Sequence, residues 1–259
     1  MKSLFKNFML SGLIATSILS MALPLQAAKK GTQAPQTKPS PSPTASVSPT
    51  QAAEKVVYLT FDDGPTPKIT EQILDVLNKN GVKATFFVVG KEIVGREDIL
   101  KKIYEGGHTI GLHTYSHNFK TIYQSPESFI AEMNKTKEQI HGLLGPDVNL
   151  SAIRFPGGSA GRLNERFYAM LCDAGYRIYD WNVDLKDGIQ GGLSPEQFIT
   201  NAKKCMDRSS RRIILMHTNS NNINTVKALD GIISYYKSQG FVFKGITEDT
   251  KPYYYRFKK

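Results

Sequence analysis

Cysteine is scarce, two in 259 residues, too few for a disulfide-framework domain or a four-thiolate metal site. Tryptophan occurs once. A glycine-rich phosphate loop is missing, which argues against an open dinucleotide-binding sheet. Acidic residues are outnumbered, 23 against 33 Lys and Arg, for a formal charge of +10. No basic stretch is interleaved with stacking aromatics, so nucleic acid is not an expected partner. After residue 25 no apolar run is long enough to cross a bilayer. What is present, 40% hydrophobic and 22% charged residues, is a globular composition, which rules out a wholly disordered or fibrous chain.

The chain opens with Lys2 and Lys6, an apolar run over 8–25, and a small-residue cleavage site at Leu25-Gln26-Ala27. Residues 1–27 therefore read as a secretory signal peptide. The run sits at the lower limit for a span, which keeps an uncleaved anchor as the alternative. Over 28–54, Pro35, Pro39, Pro41, Pro43 and Pro49 alternate with Ser, Thr, Ala, Gln and Lys, an extended linker that cannot bury a core. Residues 55–259 are then one folded domain. Five lysines and Glu54 precede it, leaving 28 basic against 22 acidic residues, a net +6. Outside a cell that surface would favour anionic glycans, or simply serve solubility.

Within the domain, β-rich runs at 56–61, 84–89, 108–113, 152–156, 177–183, 213–217 and 241–246 alternate with helical patterns at 70–80, 91–105, 126–144, 163–174, 195–207 and 222–238. Ser125-Pro126-Glu127 and Ser194-Pro195-Glu196 are helix starts. Ile130, Met133, Ile140 and Leu144 trace a helical face. Gly81, Gly106, Gly175 and Gly240 stand where helices end. Such alternation implies an α/β fold with a parallel sheet, closed or nearly closed into a barrel. Its chemistry belongs at the C-terminal strand ends.

Polar residues gather at those ends. The first strand runs into Thr60-Phe61-Asp62-Asp63-Gly64-Pro65, the third into His113-Thr114-Tyr115-Ser116-His117, and the fourth into Arg154-Phe155-Pro156-Gly157-Gly158-Ser159. The fifth leads to Asp184-Leu185-Lys186-Asp187 and the sixth to Leu215-Met216-His217. Two histidines four apart, with an aspartate from another strand, make an N,N,O set that leaves a coordination position open, as catalytic divalent sites do. Adjacent aspartates can divide the labour, one ligating and one taking a proton from water. Arg154 could hold the free carboxylate ionised and oriented. His217 could protonate a leaving group, with Asp187 orienting it and favouring its protonated form. Taken singly, each motif is ordinary: Asp-Asp-Gly-Pro is a turn, and a histidine at a strand end is usually a satisfied core residue. Their coincidence at one mouth is what points to a metal hydrolase.

These motifs, in this order, resemble the polysaccharide deacetylase family over about 56–246. The resemblance implies a distorted (β/α)7 barrel as a single catalytic domain. It implies one divalent ion, zinc in the usual case with cobalt or another divalent ion able to substitute, held by Asp63, His113 and His117. Asp62 would be general base, His217 general acid, Arg154 the orienter of Asp62 and Asp187 that of His217. Leu215 would line the pocket for the acetyl methyl, and the Gly157 N–H would face the oxyanion. The Arg-Phe-Pro-Gly-Gly-Ser form is similar to the peptidoglycan N-acetylglucosamine deacetylase branch. The expected partner is then a glycan polymer, peptidoglycan or chitin-like. A membrane enters only if the leader stays uncleaved. Oligomeric state is open, with a monomer as default, and the location is secreted or associated with the wall or membrane. Where Gly157 and Gly188 stand the family often carries aromatics, so a wider or differently walled groove is expected. Trp181 is a candidate replacement stacking face, the alternative being a buried strand residue.

Two other readings use the same residues, an O-acetyl (xylan-type) esterase and a non-catalytic glycan-binding protein. His108 is expected to be structural and His141 solvated. Cys172 and Cys205 are placed on successive helices as free half-buried thiols.

Overall fold

The computed structural model describes residues 54–189 and 192–257. The expected leader 1–27, and all of the linker 28–54 except Glu54, lie outside the described residues. Among those described, no helix is long and apolar enough to cross a membrane.

The elements follow in the order β1 (Val56–Asp62), α1 (Ile69–Lys79), β2 (Thr85–Val88), α2 (Gly90–Ile93), α3 (Glu97–Glu105), β3 (Thr109–Leu112), α4 (Phe119–Ile122), α5 (Pro126–Leu144), β4 (Ala152–Ile153), α6 (Glu165–Asp173), β5 (Arg177–Ile178), β6 (Val183–Asp184), α7 (Pro195–Ala202), β7 (Arg211–His217), α8 (Ile223–Ser238) and β8 (Val242–Phe243). The strands pair in parallel in the order β5-β4-β3-β2-β1-β7-β6, and β8 sits beside the start of β1. The sheet curls with helices outside it, which is the expected distorted barrel. β1 is almost wholly buried, as befits a parallel strand covered on both faces. Its register with β7 sets Asp62 beside His217 and Thr60 beside Leu215.

Helices form where apolar residues recur at three and four. α1 buries Ile69, Ile73 and Leu77. α5 spans the expected 126–144, with the Ser125 side chain accepting from the Ser128 N–H. Its buried face is Phe129, Met133, Thr136 and Ile140, so Ile130 and Leu144 flank the stripe rather than define it. The expected helix 91–105 is two helices. Gly95, with φ 74, ends the first turn, while apolar spacing through Ile93, Ile99 and Ile103 runs on across the break.

The expected strand 177–183 also divides. β5 pairs with β4 at one edge of the sheet and β6 with β7 at the other. Between them the buried Arg154 side chain donates to the carbonyls of Tyr179 and Asp180, so these acceptors serve a guanidinium instead of a ladder. The C-terminal segment fills this seam: Tyr179 bridges Tyr253 in parallel, and the Asp180 N–H donates to the Tyr253 carbonyl. Residues beyond the expected last strand thus complete the barrel wall.

Cys205 lies after α7, in a bridge to Val183, rather than on a helix. It is a half-buried free thiol, and Cys172 is free and exposed. His108 is buried, accepts from the Ala84 N–H, and is pushed by desolvation to a pKa of about 4. It is structural, as expected. His141 is half-buried and donates to the Val148 carbonyl at 3.0 Å. The expectation of a solvated ring fails there because the chain folds back after α5 onto its last turn.

Candidate active site and metal centre

β1 delivers two carboxylates that must diverge. Asp62 keeps strand geometry, and Asp63 turns into the left-handed region at φ 75, a conformation aspartate tolerates better than most residues. The turn sends Asp62 toward Arg154 and Asp63 toward the loop after β3. There Asp63 Oδ1 lies 3.3 Å from His117 Nε2 and 3.5 Å from His113 Nε2. Ligand atoms of Asp63, His113 and His117 all fall within 4.8 Å of one another.

The ring orientations fit a divalent ion. His113 Nδ1 is 2.9 Å from the Arg154 carbonyl. A carbonyl only accepts, so Nδ1 carries the proton and Nε2 presents a lone pair to the site. His117 sits at φ 52 after Thr114 at φ 64, and its N–H donates to Thr114 Oγ1 at 3.2 Å. Glu132 of α5 closes this loop from below, with Oε2 accepting from the N–H groups of Tyr115 and Ser116 at 3.0 and 2.6 Å. Desolvation, reinforced by the charge of His113, lowers the His117 pKa. Burial opposes ionisation of Asp63, but the charges of His113, His217 and His117, with a hydrogen bond from Asn219, outweigh it and lower its pKa. Neutral imidazole and ionised carboxylate are the forms that ligate. Two nitrogens and one oxygen fit the donor set of an open catalytic site.

Arg154 has no exposed surface and Asp62 is 3% exposed. The guanidinium donates to Asp62 Oδ1 at 2.9 Å and Thr60 Oγ1 at 2.7 Å, and stacks 4.2 Å over the Phe87 ring. The other Asp62 oxygen lies 3.7 Å from His113 Nε2. The carboxylate so enclosed has one oxygen anchored on Arg154 and the other facing the site.

Across the mouth, His217 Nδ1 donates to Asp187 Oδ1 at 2.7 Å, and the His217 backbone N–H donates to Oδ2 at 2.9 Å. Thr225 Oγ1 donates to the same Oδ2 at 2.8 Å, and Asn222 Nδ2 to the Asp187 carbonyl at 3.0 Å. Desolvation would lower the His217 pKa, but the hydrogen bond and charge of Asp187, helped by Asp62 and Asp63, prevail and raise it to about 9. The ring therefore holds its proton at neutral pH with Nε2 free to donate.

The remaining expected residues surround these groups. Leu215 is buried on β7, two residues before His217 and so on the same sheet face. Gly157 is exposed at φ 72 in the turn after β4. Trp181 is half-buried, packed against Gly158 and edge-on to Tyr255. Of the two expected outcomes at the glycines, a wider groove or a differently walled one, their neighbours fit the second. A Cβ on Gly188 would lie 2.8 Å from His217 Cε1, and one on Gly157 would lie 3.3 Å from the Phe119 ring and 3.2 Å from Arg162 Nη2. A cleft of about 300 Å³ leads away from Asp63 and His117 past Asn219, Ser220, Lys91 and Arg96.

Sequence reasoning missed Glu132 and Thr225, which pin the motif residues from helices. The polar loop 218–222 reads in the sequence as a glycan contact or a helix cap, whereas its Asn222 donates to the Asp187 carbonyl and its Asn219 Nδ2 to Asp63 Oδ2 at 2.9 Å. The fully buried Asp180 accepts from Ser159 and from the Tyr255 N–H, tying the Gly157 turn to the C-terminal segment.

Residues 50–179 match the family model described as polysaccharide deacetylase. A peptidoglycan-N-acetylglucosamine deacetylase of Bacillus cereus is 31% identical over 204 residues, covering 76% of this chain and 71% of that protein. A chitooligosaccharide deacetylase of Rhizobium leguminosarum bv. trifolii is 35% identical over 140 residues, 54% of this chain and 62% of that protein. Among solved structures, the catalytic domain of a peptidoglycan N-acetylglucosamine deacetylase from Eubacterium rectale is similar with a TM-score of 0.71 at 29% identity, covering 84% of this chain and 100% of that one.

Proposed function

We propose, from the premise that the chain belongs to the polysaccharide deacetylase family, that it hydrolyses the acetamide of N-acetylglucosamine residues in peptidoglycan or a chitin-like glycan, releasing acetate. The observation that carries this reading is the convergence of Asp63, His113 and His117 beside a buried Asp62–Arg154 pair and a His217–Asp187 pair.

In the proposed chemistry Asp62, held by Arg154, takes the proton of the attacking water. As water adds to the acetyl carbon, the C=O π pair moves onto the carbonyl oxygen, and that oxyanion faces the Gly157 N–H. His217 donates its Nε2 proton to the departing amine, and Asp187 stabilises the charged ring until that transfer. Leu215 lines the side taken by the acetyl methyl. Asp63, His113 and His117 would hold one divalent ion, in our reading the zinc usual in the family or another divalent ion in its place, which when bound acidifies water and polarises a carbonyl. The reading of residues 1–27 as a leader supports an extracytoplasmic site of action, secreted or associated with the wall or membrane.

The test is acetate release from peptidoglycan and N-acetylated chitooligosaccharides, with O-acetylated xylan alongside. Release from the amide substrates should be abolished by chelation, restored by zinc, and lost in Asp62→Asn. Release from xylan alone would move the assignment to an esterase. Glycan binding without any acetate from the wild type would move it to a non-catalytic binder.

A further inference from the structure

Phe119 opens α4 with 44% of its surface exposed, yet it borders the site. Its ring meets that of His117 edge-on with centroids 5.5 Å apart. It is also fixed. Tyr123 meets it at 5.7 Å and itself stacks at 5.9 Å on Phe129, a fully buried core ring. The Tyr123 hydroxyl donates to the Pro156 carbonyl at 2.7 Å. The Arg162 guanidinium lies 5.5 Å from the Phe119 ring centre and donates to the carbonyls of Gly157 and Gly158 at 3.2 and 3.1 Å. Gly157 leaves this space to the ring, since a Cβ there would be 3.3 Å from Phe119 Cε1 at a φ of +72.

A flat apolar face is thus held in water between a candidate metal ligand and the turn carrying the proposed oxyanion donor. Holding it there leaves apolar surface hydrated, which a ligand could relieve. Pyranose rings present C–H faces that can cover an aromatic face, and a ring already immobilised loses little further freedom on binding. We propose that Phe119 is a glycan-binding residue whose exposed face stacks on a pyranose ring of the substrate, with Arg162 as the residue that positions it. The choice of glycan rests on the deacetylase reading above.

Phe119→Leu keeps apolar bulk against His117 but removes the flat face, and Phe119→Tyr restores it. In the zinc-loaded full chain, Phe119→Leu should raise KM for an N-acetylated chitooligosaccharide roughly tenfold, equivalent to ~1.4 kcal/mol. Zinc affinity should match the wild type, and Phe119→Tyr should recover the wild-type KM. Calorimetry on zinc-loaded Asp62→Asn, with and without Phe119→Leu, should show the same loss of glycan affinity without turnover. A KM and glycan Kd unmoved by Phe119→Leu would overturn the proposal even if wild-type acetate release upholds the deacetylase reading. Weaker zinc binding at unchanged KM would overturn it too, since the ring would then only support His117. No acetate from any glycan, with glycan affinity lost on Phe119→Leu, would sink the deacetylase reading and sustain this one. A wild type that binds no glycan would overturn both.

Discussion

Replacing Arg154 by Met probes the buried centre of the site most directly. Arg154 is fully buried and gives hydrogen bonds to Asp62 Oδ1, Thr60 Oγ1, the Tyr179 carbonyl and the Asp180 carbonyl. Methionine can keep the packing of the stem against Phe87 while deleting the charge. The dominant loss is a buried carboxylate left without its cation, about 3–5 kcal/mol. The neutral acceptors add about 1 kcal/mol or more each where water cannot reach them. The unpaired charge alone, taken as ~4 kcal/mol in a domain of this size, should lower Tm by roughly 8–16 °C, and the acceptors add to that fall. Thermal and urea unfolding at pH 7 give the single-variant value. The cycle with Asp62→Asn then separates the two contributions. Because the unpaired charge is the larger part, Arg154→Met/Asp62→Asn should be more stable than Arg154→Met alone by about 1–3 kcal/mol. Strict additivity of the two single changes would refute the reasoning, because Arg154 would then be a packing residue rather than the counter-charge of Asp62. Acetate release should fall on the order of 10²-fold or more in the single variant, as the base loses its anchor.

Asp187→Asn should move the alkaline limb of the kcat/KM profile to lower pH. His217 holds its proton below about 9 because Asp187 outweighs desolvation, and without that carboxylate its pKa falls toward or below the ordinary 6.5; an unmoved limb in the pH–rate profile would remove His217 as the acid. By the same linkage the pair stabilises the fold fully below pH 6.5 and loses that contribution as pH rises through about 9, which denaturant midpoints across that window would register. Glu132→Ala frees the Tyr115 and Ser116 N–H groups and should weaken zinc affinity by roughly 10- to 100-fold, measured by competition with a chromophoric chelator. Gly188→Ala puts a methyl 2.8 Å from the His217 ring, and with the ring tied to Asp187 kcat should drop by on the order of 10²-fold. Its zinc affinity should stay at the wild-type value in the same competition assay.

The fold was legible wherever a local signal coincided with a tertiary need. The Ser125-Pro126 start and the apolar stripe of α5 are both local, and the helix lies where they put it. The errors fall where tertiary contacts override the pattern. The break at Gly95 is hidden because the same apolar spacing resumes in α3. The split between β5 and β6 is hidden because β-rich residues continue through Tyr179 while Arg154, 25 positions earlier, takes the backbone acceptor. Nothing in residues 253–255 announces a seam-filling role, since that role is made by pairing with Ile178, Tyr179 and Asp180.

The site divides along the same line. Groups that must present a particular atom to the reaction can be found in sequence, because the strand ends of a parallel sheet are countable and the required chemistry restricts residue type. Residues that aim those groups are under a weaker constraint. Any acceptor could hold the Tyr115 and Ser116 N–H groups, and Glu132 does so from a helix face where a glutamate is otherwise unremarked. Thr225 and Asn222 lie in and before α8, where a polar residue reads as a cap, yet both converge on Asp187. Phe119 and Gly157 carry the point furthest. Glycine at 157 reads as missing bulk until the ring from α4, 38 positions away in the chain, is seen standing in the same space. A glycine and a ring that fit one another only in three dimensions leave no mark that one sequence can show, so this part of the wall is a property of the pair and is visible only once the barrel has brought them together.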